Sequence, residues 1–212
     1  MKTVLYVVRH GETTDNRDDL VSGHVNPDLT EKGVLQAVEL RHELFNVHFD
    51  EVFSSDLNRA IETASIICGD RVTEDHQLFG LRERNYGKID GKSNDLLHGI
   101  RAKHHPIYKT LPHEERWKYK HADDMESDYE LSERFVNTIR NIAKDNLGKT
   151  ILIVAHGGAL RVLLIELGFA TTINLTFGGT FKNGGYVKLV YDGNSLKVDN
   201  VVGLKDGIVL ET

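Results

Sequence analysis

Cysteine, proline and long apolar runs are scarce in this sequence of 212 residues. It has one cysteine, Cys68, so no intrachain disulfide can form, which suits a reducing cytoplasm. Cys68 falls on an apolar helical stripe and reads as a buried structural thiol rather than a nucleophile. No apolar stretch is long enough to span a bilayer. The run from Thr3 to Val8 is too short for a signal peptide, and Arg9 and His10 interrupt it. A cytoplasmic protein without a membrane partner is therefore expected. Positive charge is also in deficit, with a formal net charge of −6 when His is neutral. That argues against a nucleic-acid partner, whose phosphate backbone calls for clustered Lys and Arg. A small anionic ligand in a locally positive pocket stays compatible with it. Internal repeats, low-complexity segments and a boundary linker are all missing, so one domain over residues 1–212 is expected.

Hydrophobic residues make up 40% and charged residues 27%, enough apolar material for a sizeable core. Val4, Leu5, Val7 and Val8 form a nearly continuous apolar run, the pattern of a strand buried on both faces of a parallel sheet. It stops at Arg9-His10-Gly11, where open α/β sheets bind ligands. Gly11 would let the backbone turn and approach a ligand closely. A polar loop over 14–28 follows, and then Thr30 as the N-cap of a helix. A short strand, Glu51-Val52-Phe53, leads to a second helix that Ser55 or Asp56 would cap. This β-α-β-α order implies a three-layer α/β/α fold, a mainly parallel sheet with helices on both faces.

The middle of the chain is harder to read. A short strand near Arg71–Thr73 and a loop from Leu81 to Gly87 are expected. Residues 92–126 hold many His, Lys and Asp residues, two of the three prolines and little apolar periodicity. They read as an irregular, partly helical insertion over one face of the sheet, and long loops over a sheet edge are often active-site covers. Ser127-Asp128-Tyr129-Glu130 is a capping-box pattern opening a long helix. Thr150–Ala155 is the clearest buried strand, followed by His156-Gly157-Gly158 and a helix over 159–167. The tail alternates from Gly184 to Tyr191, turns at Asp192-Gly193-Asn194 and pairs back, as a hairpin does.

Two strand ends thus carry His followed by Gly, and Arg59 stands just after a third. The segment Arg9-His10-Gly11-Glu12-Thr13 resembles the signature of the histidine phosphatase (phosphoglycerate mutase-like) superfamily, branch 1. Residues 54–64 around Arg59, Leu81-Arg82-Glu83 before Gly87 and Asp90-Gly91, and Ala155-His156-Gly157-Gly158 resemble its other signatures, in order, over nearly the whole chain. The resemblance implies a phosphoric monoester hydrolase acting through a phosphohistidine. His10 would be the nucleophile. Glu83 would be the acid for the leaving alcohol and then the base for water. His156 would stabilise charge on the transferring phosphoryl group.

The residue types suit that chemistry. Arg9 and Arg59 offer rigid donor forks that match phosphate oxygens. Asn16, Gly23, His156 and Gly157, the last at a helix N-terminus, complete the expected phosphate-binding set. Thr13 is expected to cap a turn. The expected substrate is a small phosphate monoester, with no cofactor and no metal, because arginines and histidines carry the charge work. His104-His105, His113 and His121 lack the spacing of a metal-ligand set and are expected on the solvated surface. A cofactor-dependent phosphoglycerate mutase shares all these residues. A non-catalytic binding module on the same fold would be expected to lack one of them, and none is missing. His24, Asp28 and Met125 depart from the family pattern and leave the substrate open, as is the oligomeric state.

Overall fold

The computed structural model describes residues 1–172, 175 and 180–205. Five strands form one sheet: β1 (Thr3–Arg9), β2 (Glu51–Ser54), β3 (Thr150–Ala155), β4 (Phe181–Tyr191) and β5 (Leu196–Leu204). Their order is β2-β3-β1-β4-β5. β1 and β2 both pair with β3 in parallel, while β4 runs antiparallel to β1 and to β5. Four strands therefore point one way and only β4 opposes them, so the sheet is mostly but not purely parallel.

The alternation of side chains across the pleat builds the two outer layers. Leu5, Val7, Ile151 and Ile153 face a core with Leu131, Phe135 and Ile139 of helix α6 (Asp128–Asp145) and Leu160, Val162 and Leu163 of helix α7 (Gly157–Glu166). Val8, Val52, Leu152 and Val154 face the other way. They meet Leu40 of helix α2 (Glu31–Glu43) and Ala60, Ala64 and Ile67 of helix α3 (Asn58–Cys68). The expected three-layer α/β/α architecture is the one observed.

Local signals explain several element ends. Thr30 caps α2 by accepting from the Gly33 N–H. Ser127 and Glu130 form the reciprocal capping box of α6. Gly193, at φ 98°, turns the β4–β5 hairpin. Other expectations need correction. No strand forms at Arg71–Thr73; the chain there is irregular, and the Arg71 N–H is taken by the Gly69 carbonyl in a local turn instead of by a neighbouring strand. Neither Ser55 nor Asp56 caps α3: Leu57 is its N-cap, with no side-chain cap bond, and Asp56 pairs with Arg82. Cys68 is half-buried rather than fully buried. The loop after β1 opens with a one-turn helix, α1 (Thr14–Arg17), which Thr13 and Asn16 cap reciprocally.

Residues 92–126 are more regular than their composition suggests. They form α4 (Asn94–Tyr108) and α5 (His113–Lys118). Periodicity is weak because α4 buries only Leu97 and Tyr108. Leu97 joins Val21 and Met125 in a small cluster apart from the two main cores. His121 is buried, not solvated: it packs among the rings of His104, Tyr108 and Tyr119. No helix among the described residues is long and apolar enough to cross a membrane.

Candidate active site

The carboxyl ends of β1, β2 and β3 lie side by side, and the segments leaving them carry the candidate residues. His10 directly follows β1, and its N–H donates to the Ala155 carbonyl at the end of β3. The two strand-end histidines meet, with ring centroids 5.1 Å apart. Both are almost sealed from solvent, His10 at 4% exposure and His156 at 0%.

His10 is held by both ring nitrogens. Nδ1 lies 2.7 Å from the Gly11 carbonyl oxygen, which can only accept, so Nδ1 carries the proton. Nε2 then holds the lone pair and accepts from Nε of Arg59 at 3.2 Å. Burial, followed by the nearby Arg59 and Arg9 charges, pushes the His10 pKa well below the ordinary imidazole value. His156 is pushed the same way by burial, then by Arg59 and His10. Both rings are therefore neutral at pH 7. Among the described residues neither ring nitrogen of His156 has a hydrogen-bond partner.

Arg59 comes from the first turn of α3 and is fully buried. Burial lowers its pKa to about 10, so it stays charged at neutral pH. Besides His10 it donates to the carbonyls of Val25 and Gly23. Those residues belong to a loop whose successive N–H groups, from Gly23, His24 and Val25, all donate to the Asp90 carboxylate. The Gly23 N–H is thus engaged by Asp90.

Glu83 sits in the loop after a 3-10 turn at Phe79–Leu81. Its carboxylate accepts from the Arg84 N–H at 2.7 Å and from the Gly158 N–H, in the first turn of α7, at 2.8 Å. The second glycine after His156 fits this geometry. A Cβ on Gly158 would fall 2.4 Å from Glu83 Oε1. Gly11 has a different reason from the one expected: a Cβ there would fall 2.3 Å from the Gly33 carbonyl oxygen. The backbone there approaches the first turn of α2.

Arg9, His10, Asn16, Glu83 and Gly157 line one cavity of about 480 Å³, large enough for a phosphorylated small molecule. Arg9 donates to the Phe181 carbonyl. The Asn16 amide oxygen accepts from the Thr13 N–H and from Asn183 Nδ2. Gly23, Arg59 and His156 are not part of the lining: Arg59 and His156 meet His10 from the protein side, and Gly23 meets Arg59. The other wall is contributed by Asn94, Leu97, His98 and Arg101 of α4.

Three contributors escaped the sequence reading. Asn183 on β4 ties the His10 carbonyl to Asn16. It reaches the site only through the antiparallel pairing of β1 and β4, which no local pattern announces. Asp90 was visible as Asp90-Gly91, but its three backbone bonds were not. Arg134, on α6, donates to the carbonyls of Arg82 and Glu83 and pairs with Glu126. No group of three or more His, Cys, Asp or Glu placed to hold a metal occurs among the described residues.

The model of the histidine phosphatase superfamily (branch 1) matches residues 5–202. The adenosylcobalamin/alpha-ribazole phosphatase of Escherichia coli K12 is 30% identical over 163 residues, 77% of this chain and 78% of that protein. The metal-independent phosphoserine phosphatase of Arabidopsis thaliana is 30% identical, over 78% of this chain and 68% of its own length. A crystal structure of phosphoglycerate mutase from Bacillus anthracis superposes with a TM-score of 0.79 at 28% identity, covering 94% of this chain and 92% of that one. The chain belongs to the histidine phosphatase superfamily, branch 1. It is an enzyme of the phosphatase class within it.

Proposed function

We propose that this enzyme hydrolyses small phosphate monoesters, without a metal, through a phosphohistidine at His10. The observation that carries the reading is the His10 ring. It is neutral, its proton is committed to the Gly11 carbonyl, and its Nε2 lone pair faces a cationic donor. In the first step Nε2 bonds to phosphorus, the bond from phosphorus to the ester oxygen breaks, and the leaving oxygen takes a proton from Glu83. In the second, Glu83 takes a proton from water, the water oxygen bonds to phosphorus, and the P–N bond breaks to restore His10 and release phosphate. The Arg59 Nε–H that now points at His10 would pass to a phosphoryl oxygen, and Arg9, Asn16 and neutral His156 would supply further donors. The backbone N–H groups of Glu83's present partners hold its carboxylate against the start of α7, within the same cavity.

The reading makes hydrolysis, not transfer, the outcome. α4 and its neighbours close the cavity with polar groups and a cluster of only three buried apolar residues, Val21, Leu97 and Met125. So light a cover admits water to the phosphohistidine. Rapid quenching during turnover of an aryl phosphate should leave an acid-labile, base-stable phosphoryl adduct on the peptide containing His10. His10→Ala should abolish it and lower kcat/KM by about four orders of magnitude. Supplying 3-phosphoglycerate with 2,3-bisphosphoglycerate should yield mainly free phosphate. Fast interconversion of 2- and 3-phosphoglycerate with negligible phosphate release would establish a mutase instead.

A further inference from the structure

Glu83 must present its carboxyl to the leaving oxygen, yet it stands in a loop with no regular secondary structure. Something other than a helix or strand must fix it. Its carbonyl oxygen receives two side-chain donors from different parts of the chain, Arg134 Nη2 from α6 and His24 Nε2, at 3.0 Å, from the loop after α1. These occupy both lone pairs of that oxygen. Arg134 also donates to the Arg82 carbonyl at 2.7 Å and is oriented by Glu126, whose carboxylate in turn accepts the Asn85 N–H at 2.8 Å. Phe79 stacks edge-on against the His24 ring and lies under the Arg82 guanidinium.

The His24 contact also closes a circuit. His10 bonds Arg59, Arg59 bonds the carbonyls of Gly23 and Val25, and Asp90 fixes the N–H groups of those two residues and of His24 between them. The ring of His24, at the centre of that loop, then bonds Glu83. One rigid loop therefore touches the nucleophile through Arg59 and the carboxylate residue through His24. Burial and the neighbouring Arg134 and Arg82 charges lower the His24 pKa, although the carbonyl bond opposes them. The carbonyl can only accept, so the bond requires the proton on Nε2 of His24.

We propose that His24 and Arg134 are positioning residues that together lock the Glu83 peptide, and that His24 sets the distance between Glu83 and His10. The inference rests on the role of Glu83 in proton transfer stated above. It concerns residues that touch neither phosphorus nor the ester, so their effect must pass through Glu83.

The test compares an alkyl phosphate, which needs a proton for its leaving group, with p-nitrophenyl phosphate, which scarcely does. His24→Leu should lower kcat/KM, which reports only the step that expels the alcohol and precedes the attack of water, about tenfold on the alkyl ester and much less on the aryl ester. His24→Gln, which can still donate to the carbonyl, should recover most of the loss. Arg134→Lys should show the same ester dependence, because donors on one nitrogen cannot span the carbonyls and Glu126 that the separate nitrogens of the planar guanidinium reach. The cycle is completed in Glu83→Gln, where no proton can be transferred. There His24→Leu should have no further effect on the ratio of the two esters. Equal losses on both esters, or the same loss with and without Glu83, would overturn the proposal. Failure of Glu83→Gln itself to discriminate the esters would instead overturn the role of Glu83. Circular dichroism melts of each variant separate a folding defect from a positioning one, and a His24→Leu that folds normally yet leaves the ester ratio at the wild-type value would refute the inference.

Discussion

The strand-end floor, where Arg59 and His156 pack behind His10, and the α4 wall meet at the same cavity, yet they are held in opposite ways. On the floor, His10, Arg59 and His156 are each at or below 4% exposure, and His10 and Arg59 are fixed by backbone carbonyls. Across from it, α4 spans fifteen residues and buries two, while α5 spans six and buries one, Trp117. A phosphoryl group has the same shape in every monoester, so the floor gains from rigidity. The alcohol differs from substrate to substrate, so its wall is free to be polar and lightly anchored. The relatives on this fold include phosphatases of different named substrates, which fits a constant floor and a variable wall.

The contrast breaks most severely at Arg59. Its three donor nitrogens serve His10 Nε2, the Val25 carbonyl and the Gly23 carbonyl. Arg59→Lys keeps the charge but cannot reach three divergent acceptors, and it leaves buried carbonyls unpaired. We expect kcat/KM to fall by about two to three orders of magnitude on every ester tested, aryl or alkyl. A loss confined to one class of ester would move Arg59 from the floor's duties to the wall's. Steady-state kinetics over a panel of monoesters decides it.

The floor was also the more legible half in sequence, for a physical reason. Buried parallel strands must be apolar throughout, so β1 and β3 stand out, and the polar candidate residues at their ends interrupt the runs abruptly. The capping box at Ser127 and the Asp192-Gly193-Asn194 turn are likewise local and readable. α4 was not, because a helix burying only Leu97 and Tyr108 has almost no apolar stripe. Nor were Asn183, Asp90 and Arg134: each acts by a hydrogen bond across a long sequence separation, and composition carries no trace of that. His121 was misplaced because a His in a polar stretch gives no sign that three rings will enclose it.

Acid should distinguish the two regions next. His10 and His156 have folded-state pKa values well below the 6.5 of a free imidazole, and His121 is lowered to about 4. Below pH 6.5 the unfolded chain takes up protons that these buried rings refuse. The stability they allow is therefore complete above about pH 6.5 and declines as pH falls toward their folded values. The buried Asp128, held below the ordinary carboxylate range by Arg161 and Arg84 against the opposing effect of burial, becomes important only at lower pH. Between pH 7 and 5 the melting temperature should drop, and the His rings should account for the drop. His121→Phe should make that decline shallower without altering the pH profile of catalysis. An unchanged slope would mean that the His121 ring is already accessible to protons in the native state.

The smallest effect on catalysis should come from the wall itself. Leu97 is 3% exposed and completes the cluster with Val21 and Met125, against which Tyr86, Ile89 and Ala122 pack. Leu97→Ala removes apolar contact from a cluster with little to spare, which costs about 2–4 kcal/mol locally. The two main cores do not include Leu97, so the loss should appear as local opening rather than global unfolding. Amide exchange over 94–108 should accelerate, while β1, β3 and α7 exchange as before. Turnover of a small aryl phosphate, which needs the floor alone, should change by about threefold or less. Esters with a larger alcohol should lose more, and in KM rather than kcat, because α4 contributes Asn94, His98 and Arg101 to the part of the cavity the alcohol would occupy. If instead kcat on the small aryl ester collapsed along with the exchange protection, the wall would be holding the floor in place, and the division between a rigid floor and a permissive wall would be wrong.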